Sequence, residues 1–547
     1  MDLRSEVICT PRASPAARNR FLHVPLTKGL QPLPSSLLSL FTLPLGRLVL
    51  KSVLAEPFTP ANRPGSQHTP PLSPPSSPSG APTIPDTAGT VDEDTEDEDE
   101  DESVDSFFSR RFGEAFARTL GSALIHGIYA ADSRQLSLLA AFPQLRTSET
   151  RGNGSVIWGE LGPPAWFGRS QFGGGEEDEW EGDREWETRF GRAAALFSFR
   201  EGMETLVRAL VEALQGFPNV VLWSNTAVRK IGIDTVDDGD GDSDGGDHCS
   251  FKVRQFAVFC RFFFGRLYVG LRLRKKTQIH VDAKDDEGED ANKDVVILKA
   301  THVISALPLP VLDSIFQPSV PAGAAGAASA HKSSLPHLRA NPHSSVTVLN
   351  LVFPNDPPNN STGESTTTPL HPPGFGYLIP RPEHGYDGGS LISEPQPTRV
   401  EEEPGPQVGL LGVVFDTASL PEQDHDGEND AGAAKFTKLT AMLGGPYPPA
   451  HELSDAQLVE AVLQHISSHF GHALPQPVHY AVHRNAESIP TYLVGHTARM
   501  GKLKHTLHER CGGRMKVIGA GVSGVSVADC VKAGRQAASE VGAQIGN

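Results

Sequence analysis

The feature that most constrains this chain lies at its far end. The segment KVIGAGVSGVSVADCVKAGRQAA, residues 516–538, places Gly519-x-Gly521-x-x-Gly524 directly behind a short apolar run. A dinucleotide-binding fingerprint needs a strand, the glycines, a helix and a second strand, with an acidic residue about 20 positions on to hold the ribose. Here the chain ends at Asn547. A helix over residues 526–541 fits in that space, and a second strand does not. The glycines therefore do not open a self-contained Rossmann half. They are placed to bring backbone amides and a helix N-terminus up to a cofactor held mainly elsewhere. A tight strand-to-helix turn with no ligand is the competing reading of the same residues.

Bulk properties narrow the classes. A chain of 547 residues has room for about two to four domains, less what low-complexity tracts consume. The formal net charge of -18 is concentrated in DEDTEDEDEDE (92–102) and DDGDGDSDGGD (237–247), self-repelling tracts that favour disorder, so the remainder is nearer neutral. No basic face is dense enough to argue for nucleic acid. Cys9, Cys249, Cys260, Cys511 and Cys530 form no CxxC pair, which points to a reducing compartment and away from a structural metal or disulfide framework. From Asp240 the twelfth position is Phe251, where a calcium loop needs glutamate, so that metal site is rejected too. The start MDLRSEVICTPRASPAARNR lacks the apolar stretch of a signal peptide. Residues 36–50 and 256–274 are apolar but short and carry internal arginine; they do not span a bilayer, while lying at its interface stays open.

Periodicity organises the rest. Residues 57–103 are Pro/Ser/Thr-rich and then acidic, the composition of a disordered loop. Phe116, Leu120, Leu124 and Ile128 recur at helical spacing, and Asp132 is placed to cap a further helix carrying Leu136 and Leu139. Met203, Leu206, Val207, Leu210, Val211 and Leu214 share one face of an amphipathic helix. Strands are expected over 220–222, 228–233, 295–300 and 302–308, with the intervening charged matter an insertion. Residues 248–276 show no clean period, and translated non-coding sequence is one account of them. Short strands from SVTVLNLVF to KLTAMLGG predict an antiparallel sheet in a second, α+β part, followed by a helix capped by Ser454.

In this order the segments carry a resemblance. RNRFLHV with LQPLPSSL, FFSRRFG, ALIHGIYAADSRQLSLLAAFPQL, SFREGMETL, HVISALP, GFGYLIP, LLGVVFD, AMLGG, IPTYLVGH and GVSVADCVKAGRQAA together resemble the protoporphyrinogen oxidases, flavoenzymes of haem synthesis in the flavin amine-oxidase superfamily. The resemblance covers most of the chain outside the insertions. It implies a fold that is α/β plus α+β: a glutathione-reductase-type FAD domain, an antiparallel-sheet substrate domain and a helical membrane-binding domain. It implies the six-electron oxidation of protoporphyrinogen IX to protoporphyrin IX, with FAD as cofactor and dioxygen as acceptor. It also implies peripheral contact with the mitochondrial inner membrane and is compatible with a homodimer. On that pattern residues 1–56 begin the substrate and membrane-binding region, 57–103 are the loop and 104–197 the helical domain. Residues 198–312 are an FAD-domain segment with an insertion at 234–294, 313–480 the substrate domain, and 481–547 the C-terminal FAD-domain segment. The family begins with a strand, a Gly-rich turn and an acidic ribose ligand, and this sequence begins at a point matching well past them. The expectation is therefore an FAD domain lacking its N-terminal part, as in a shortened gene product.

The same resemblance assigns roles. Arg20 matches an arginine that pairs with a propionate of the tetrapyrrole, as a bidentate guanidinium can. Phe375 and Leu378 match residues that sandwich the macrocycle, with Leu411 and Met442 nearby. Gly127 matches the glycine whose carbonyl faces the reacting ring. Val228 matches a contact to the adenine side of FAD, and Val525, Ser526 and Val527 a contact near the isoalloxazine. Asp529 and Arg535 read as structural, a cap and an ion-pair partner. Where the family has an aromatic residue after the histidine of its IPxYxxGH string, this chain has Thr497 after His496. Without the resemblance, Arg20 reads as a solvated surface arginine, the apolar residues as core and Gly127 as a packing glycine. Two other functions compete: a different oxidase of the flavin amine-oxidase superfamily, and a non-catalytic fragment that acts at most as a binding protein.

Overall fold

The computed structural model describes residues 3–24, 29–60, 101–161, 194–223, 226–235, 249–257, 296–316, 335–355, 369–383, 385–386, 408–424, 436–448 and 453–546. The expected loop at 57–103 and insertion at 234–294 lie largely outside these residues.

A mixed sheet dominates one part. Its order is β13 (His479–Pro490), β9 (His343–Pro354), β12 (Phe436–Gly444), β11 (Leu410–Phe415), β10 (Gly376–Leu378), β2 (Phe21–Leu22), β3 (Gln31–Pro32). All pairs are antiparallel except β10 with β2, so the expected antiparallel sheet is present with one parallel junction. Alternation along β9 buries Leu349, Leu351 and Phe353, and these meet Leu458, Val462 and Ile466 of the helix Asp455–Phe470. That helix starts where expected: Ser454 accepts from the Gln457 amide while the Gln457 side chain accepts from the Ser454 amide at 3.0 Å.

A second core surrounds the chain terminus. The parallel pair β8 (Val303–Ser305) and β14 (Met515–Val517) packs with the helices Leu309–Ile315 and His496–Cys511 through Leu312, Leu503, Leu507 and Cys511. Beside it, β5 (Thr226–Thr235), β6 (Cys249–Ala257) and β7 (Val296–Ala300) form an antiparallel sheet. The segment without clean period thus begins as β6, the middle strand, inside the stretch read as insertion. A further two-stranded sheet pairs β1 (Val7–Pro11) with β4 (Ala194–Phe199).

The third part is helical, with Leu37–Thr42, Pro44–Ala55, Val104–Phe112, Ser122–Tyr129, Leu138–Ala141, Pro143–Arg151 and Val156–Leu161 around Phe107, Ile125, Leu136 and Leu138. No helix of the described residues is long and apolar enough to cross a membrane. Several expectations are corrected here. Asp132 caps no helix: its carboxylate accepts from the Arg134 amide and side chain, and the next helix is capped by Ser137. Leu136, expected in that helix, lies fully buried just before it. Residues 220–222 form no strand, because no described segment offers them a ladder partner. The helix Glu204–Gln215 forms as its periodicity demands, yet Met203, Val207 and Leu210 stay exposed to the described residues. The acidic run ends in structure: Asp101 accepts from Ser137 Oγ and the Gly495 amide, each at 2.7 Å, and Glu102 pairs with Arg110.

Candidate functional site

The face of the large sheet away from the helix Asp455–Phe470 carries three of the expected residues. Leu378, Gly412, Met442 and Val348 stand opposite one another across β10, β11, β12 and β9. Directly paired residues project to one side of a sheet, so they form a row. A register shift between Leu410 and Gly412 turns Leu411 into the same apolar group as Met442 and Val348. The helix Ser122–Tyr129 lies over this row. A Cβ added to Gly127 would stand 2.9 and 3.0 Å from the Leu378 methyls, and one on Gly412 2.8 Å from Leu378 Cδ2. Two glycines therefore seat Leu378 between a helix and a strand.

His126 fastens that helix to the sheet. Its Nδ1 lies 2.7 Å from the Ile379 carbonyl and its Nε2 2.8 Å from the Tyr386 hydroxyl. Burial pushes its pKa down to about 4, against the smaller opposing pull of the Ile379 carbonyl. The ring is thus neutral, with Nδ1–H donating to the carbonyl and Nε2 accepting from the tyrosine. In the sequence His126 stood out only as part of the string ALIHGIYAAD, and Tyr386 did not stand out at all.

Arg20 and Phe375 are neighbours. The exposed guanidinium of Arg20 lies 5.8 Å from the Phe375 ring centroid, within cation–π range. Backbone bonds fix the pair: Phe375 N–H donates to Asn19 O at 3.0 Å, and Leu33 N–H to Arg20 O at 2.8 Å. No carboxylate of the described residues pairs with Arg20, so its fork is open to an external one. Phe375 leads through Gly376 into β10, the strand that carries Leu378.

The glycine turn follows β14. Ile518 N–H donates to Ser305 O at 2.8 Å, and Gly519 then takes φ +108, a region that glycine enters without strain. Gly524 has φ +96, and a Cβ there would run into the Asp529 carboxyl. Ser526 caps the helix Val527–Gly546: its Oγ accepts from Asp529 N–H at 3.1 Å, and Asp529 Oδ2 accepts from Ser526 N–H at 3.2 Å. Asp529 is a cap as expected, whereas Arg535 makes no ion pair with a described residue. Val228 packs into the core that holds Val517 and Val522, and Val525 into the one that holds Tyr129, on the helix of Gly127. Ser526 and Val527 are exposed.

This corner suits a nucleotide cofactor. The amides of Gly519, Ala520 and Gly521 donate to no acceptor among the described residues, at the C-terminal edge of a parallel strand pair and ahead of a helix N-terminus. The buried Ser305 hydroxyl, on the adjoining strand, also lacks a partner among the described residues.

Comparison with known proteins shows the family of the chain. The family model for flavin containing amine oxidoreductases matches residues 87–252 and 266–542. The chain is 26% identical over 444 residues to protoporphyrinogen oxidase of Bos taurus, covering 80% of this chain and 68% of that protein. It is 24% identical over 543 residues to protoporphyrinogen oxidase of Schizosaccharomyces pombe, covering 96% and 79%. A crystal structure from Exiguobacterium sp. 255-15 shares the fold, with a TM-score of 0.53 at 17% identity over 98% of this chain and 82% of that one.

Proposed function

Because the chain belongs to the flavin-containing amine oxidoreductase family, we propose that it is a protoporphyrinogen oxidase, converting protoporphyrinogen IX to protoporphyrin IX with FAD as cofactor and dioxygen as final acceptor. The observation that carries this reading is the seating of Leu378 under Gly127 on a sheet face shared with Leu411 and Met442, with Arg20 over Phe375 at the head of the same strand. A flat apolar macrocycle with acidic arms calls for that combination of greasy walls and one free guanidinium.

Each residue then has a task. Leu378, Leu411, Met442 and Phe375 flank the ring system and exclude water. Arg20 meets a propionate and fixes the orientation of the macrocycle. Gly127 keeps the approach to the reacting carbon clear and presents its carbonyl. The amides at 519–521, Ser305, Val228, Val525, Ser526 and Val527 would hold FAD, which when bound supplies the acceptor for hydride. In this reading the core around the terminal turn belongs to a glutathione-reductase-type FAD domain and the large sheet to the substrate domain. The helical part is the membrane-binding domain. Its exposed Leu38, Phe41, Leu54, Phe58, Trp158 and Leu161 would rest on the mitochondrial inner membrane. A homodimer is compatible with it.

The test is direct. Chain purified with FAD should turn non-fluorescent protoporphyrinogen into fluorescent protoporphyrin faster than the no-protein rate. Arg20→Ala should raise KM about tenfold or more with little change in kcat, the signature of lost uniform binding. A colourless protein with only the background rate would remove the reading, and an unchanged KM would remove Arg20 from it.

A further inference from the structure

The glycine turn is held from behind by two side chains that no part of the proposed reaction uses. Tyr492 and His496 follow β13, their rings stacked with centroids 4.2 Å apart and planes 16° from parallel. Tyr492 is fully buried and His496 nearly so. The Tyr492 hydroxyl donates to the Ala520 carbonyl and accepts from Gly524 N–H at 2.9 Å. His496 Nε2 lies 3.1 Å from the Val522 carbonyl, and its Nδ1 3.0 Å from Asn341 Nδ2. A carbonyl only accepts, so Nε2 carries the proton; at Nδ1 the Asn341 Oδ1 lies farther away, at 3.3 Å, than the amide nitrogen, so the amide donates to Nδ1 and the ring is neutral. Burial agrees, holding the His496 pKa down at about 4.

Three bonds therefore grip three positions of the turn, at Ala520, Val522 and Gly524, from one rigid aromatic stack. The grip falls on carbonyls and on the far amide, which leaves the Gly519, Ala520 and Gly521 amides unengaged. The stack is itself anchored. Tyr492 packs edge-on to Tyr129 of the Gly127 helix, and its carbonyl accepts from Ser137 N–H at 2.7 Å. A loop with glycines at φ +108 and +96 has wide conformational freedom unless something outside it removes that freedom.

We propose that Tyr492 and His496 are paired positioning residues that lock the terminal glycine turn in one shape and thereby preorganise its free amides for the flavin nucleotide. This rests on the FAD reading above for the identity of the ligand; the locking itself does not. The test uses the full chain without cofactor, comparing wild type with Tyr492→Phe, His496→Leu and His496→Gln, each confirmed folded by an unaltered circular dichroism spectrum. Amide hydrogen exchange at Val522, Ser523 and Gly524, the bonded amides of the turn, should quicken about tenfold or more in Tyr492→Phe and His496→Leu, because each leaves buried turn groups without partners. Exchange in the helix Asp455–Phe470 should stay as in wild type. FAD titration by fluorescence quenching should show Kd rising by about the same factor, and His496→Gln, which restores a donor near Nε2, should recover part of both effects. Unchanged exchange in both folded variants would overturn the proposal, and so would faster exchange with an unchanged Kd. Should the wild-type chain take up no FAD, it is the FAD reading that falls, and exchange alone decides the lock.

Discussion

Glu56→Ala is expected to lower unfolding free energy by about 3–5 kcal/mol, the usual cost of leaving a buried charge without its partner. Glu56 and Arg111 are both fully buried, and the guanidinium donates to the carboxylate through Nε at 2.9 Å and Nη2 at 2.5 Å. The carboxylate also accepts from Ser155 Oγ at 2.6 Å and the Val156 amide at 2.8 Å, which ties the helix Val156–Leu161 to the end of Pro44–Ala55. Removing it strands the guanidinium, whose other carboxylate neighbour, Glu149, is 3.9 Å away and engaged by Arg110 and Arg146. The pH dependence has a definite sign. Burial acts to raise the Glu56 pKa, but bonds from Ser155, Arg111 and Val156, with the charge of Arg111, outweigh it and leave the carboxyl below its ordinary 4.5. A depressed folded-state pKa contributes stability above the unfolded value and loses it as pH falls through the folded one. The gap between wild type and Glu56→Ala in urea midpoint should therefore be full at neutral pH and narrow below about pH 4.5. Glu56→Met with Arg111→Met should recover much of the loss, since well-packed apolar replacements of a buried pair approach neutrality. A midpoint that is unmoved by Glu56→Ala would mean that solvent reaches the pair.

What the sequence revealed follows from where its signals are local. The capping box at Ser454, the alternation of His343–Pro354 and the helix after Ser526 are set by residues within one or two turns of each other, and all three form as read. The strand β6 escaped because its alternation runs only from Cys249 to Arg254 before the apolar run from Phe256 breaks the period, and because it lies within the stretch read as an insertion. Asp132 was misread for a related reason. An Asx turn and a helix cap begin with the same residue type, and only Ser137, bonded to Asp101, decides where the helix starts. Among site residues, Gly127 and Leu378 are 251 positions apart; the resemblance gave each its own role beside the macrocycle, and only the structure shows that a Cβ on Gly127 would meet the Leu378 methyls. Tyr492 and His496 were visible only as part of a shared string. Their partners are backbone atoms of Ala520, Val522 and Gly524, and a contact to backbone leaves no residue-type signature at the other end. Ser305 shows the same limit, since an unpartnered hydroxyl becomes notable only once its burial is known.

Gly127→Ala should cut kcat/KM by about 100-fold while leaving the chain folded. The new methyl would stand 2.9 and 3.0 Å from the Leu378 methyls, and real Cβ atoms do not settle that close. Leu378 has little room to retreat, because its Cδ2 already rests on Gly412, where even a Cβ would be 2.8 Å away. The strain, about 1–3 kcal/mol, is relieved by lifting the helix Ser122–Tyr129 or by tipping Leu378 toward the substrate face. The helix resists lifting, since His126 bonds Ile379 and Tyr386 and Tyr129 packs on Tyr492. The displacement therefore falls on Leu378, and misplacement near 1 Å at a reacting centre costs about 100-fold in rate. Leu378→Ala alone should be milder, widening the apolar wall without moving the helix. The double variant Gly127→Ala, Leu378→Ala should then be faster than Gly127→Ala alone, a non-additivity that isolates the steric contact from any general loss of stability. Initial rates of protoporphyrin fluorescence, with melting temperatures measured alongside, read both effects. Wild-type turnover in Gly127→Ala, or a double variant slower than either single one, would show that the close approach of helix and strand does not shape the reacting site.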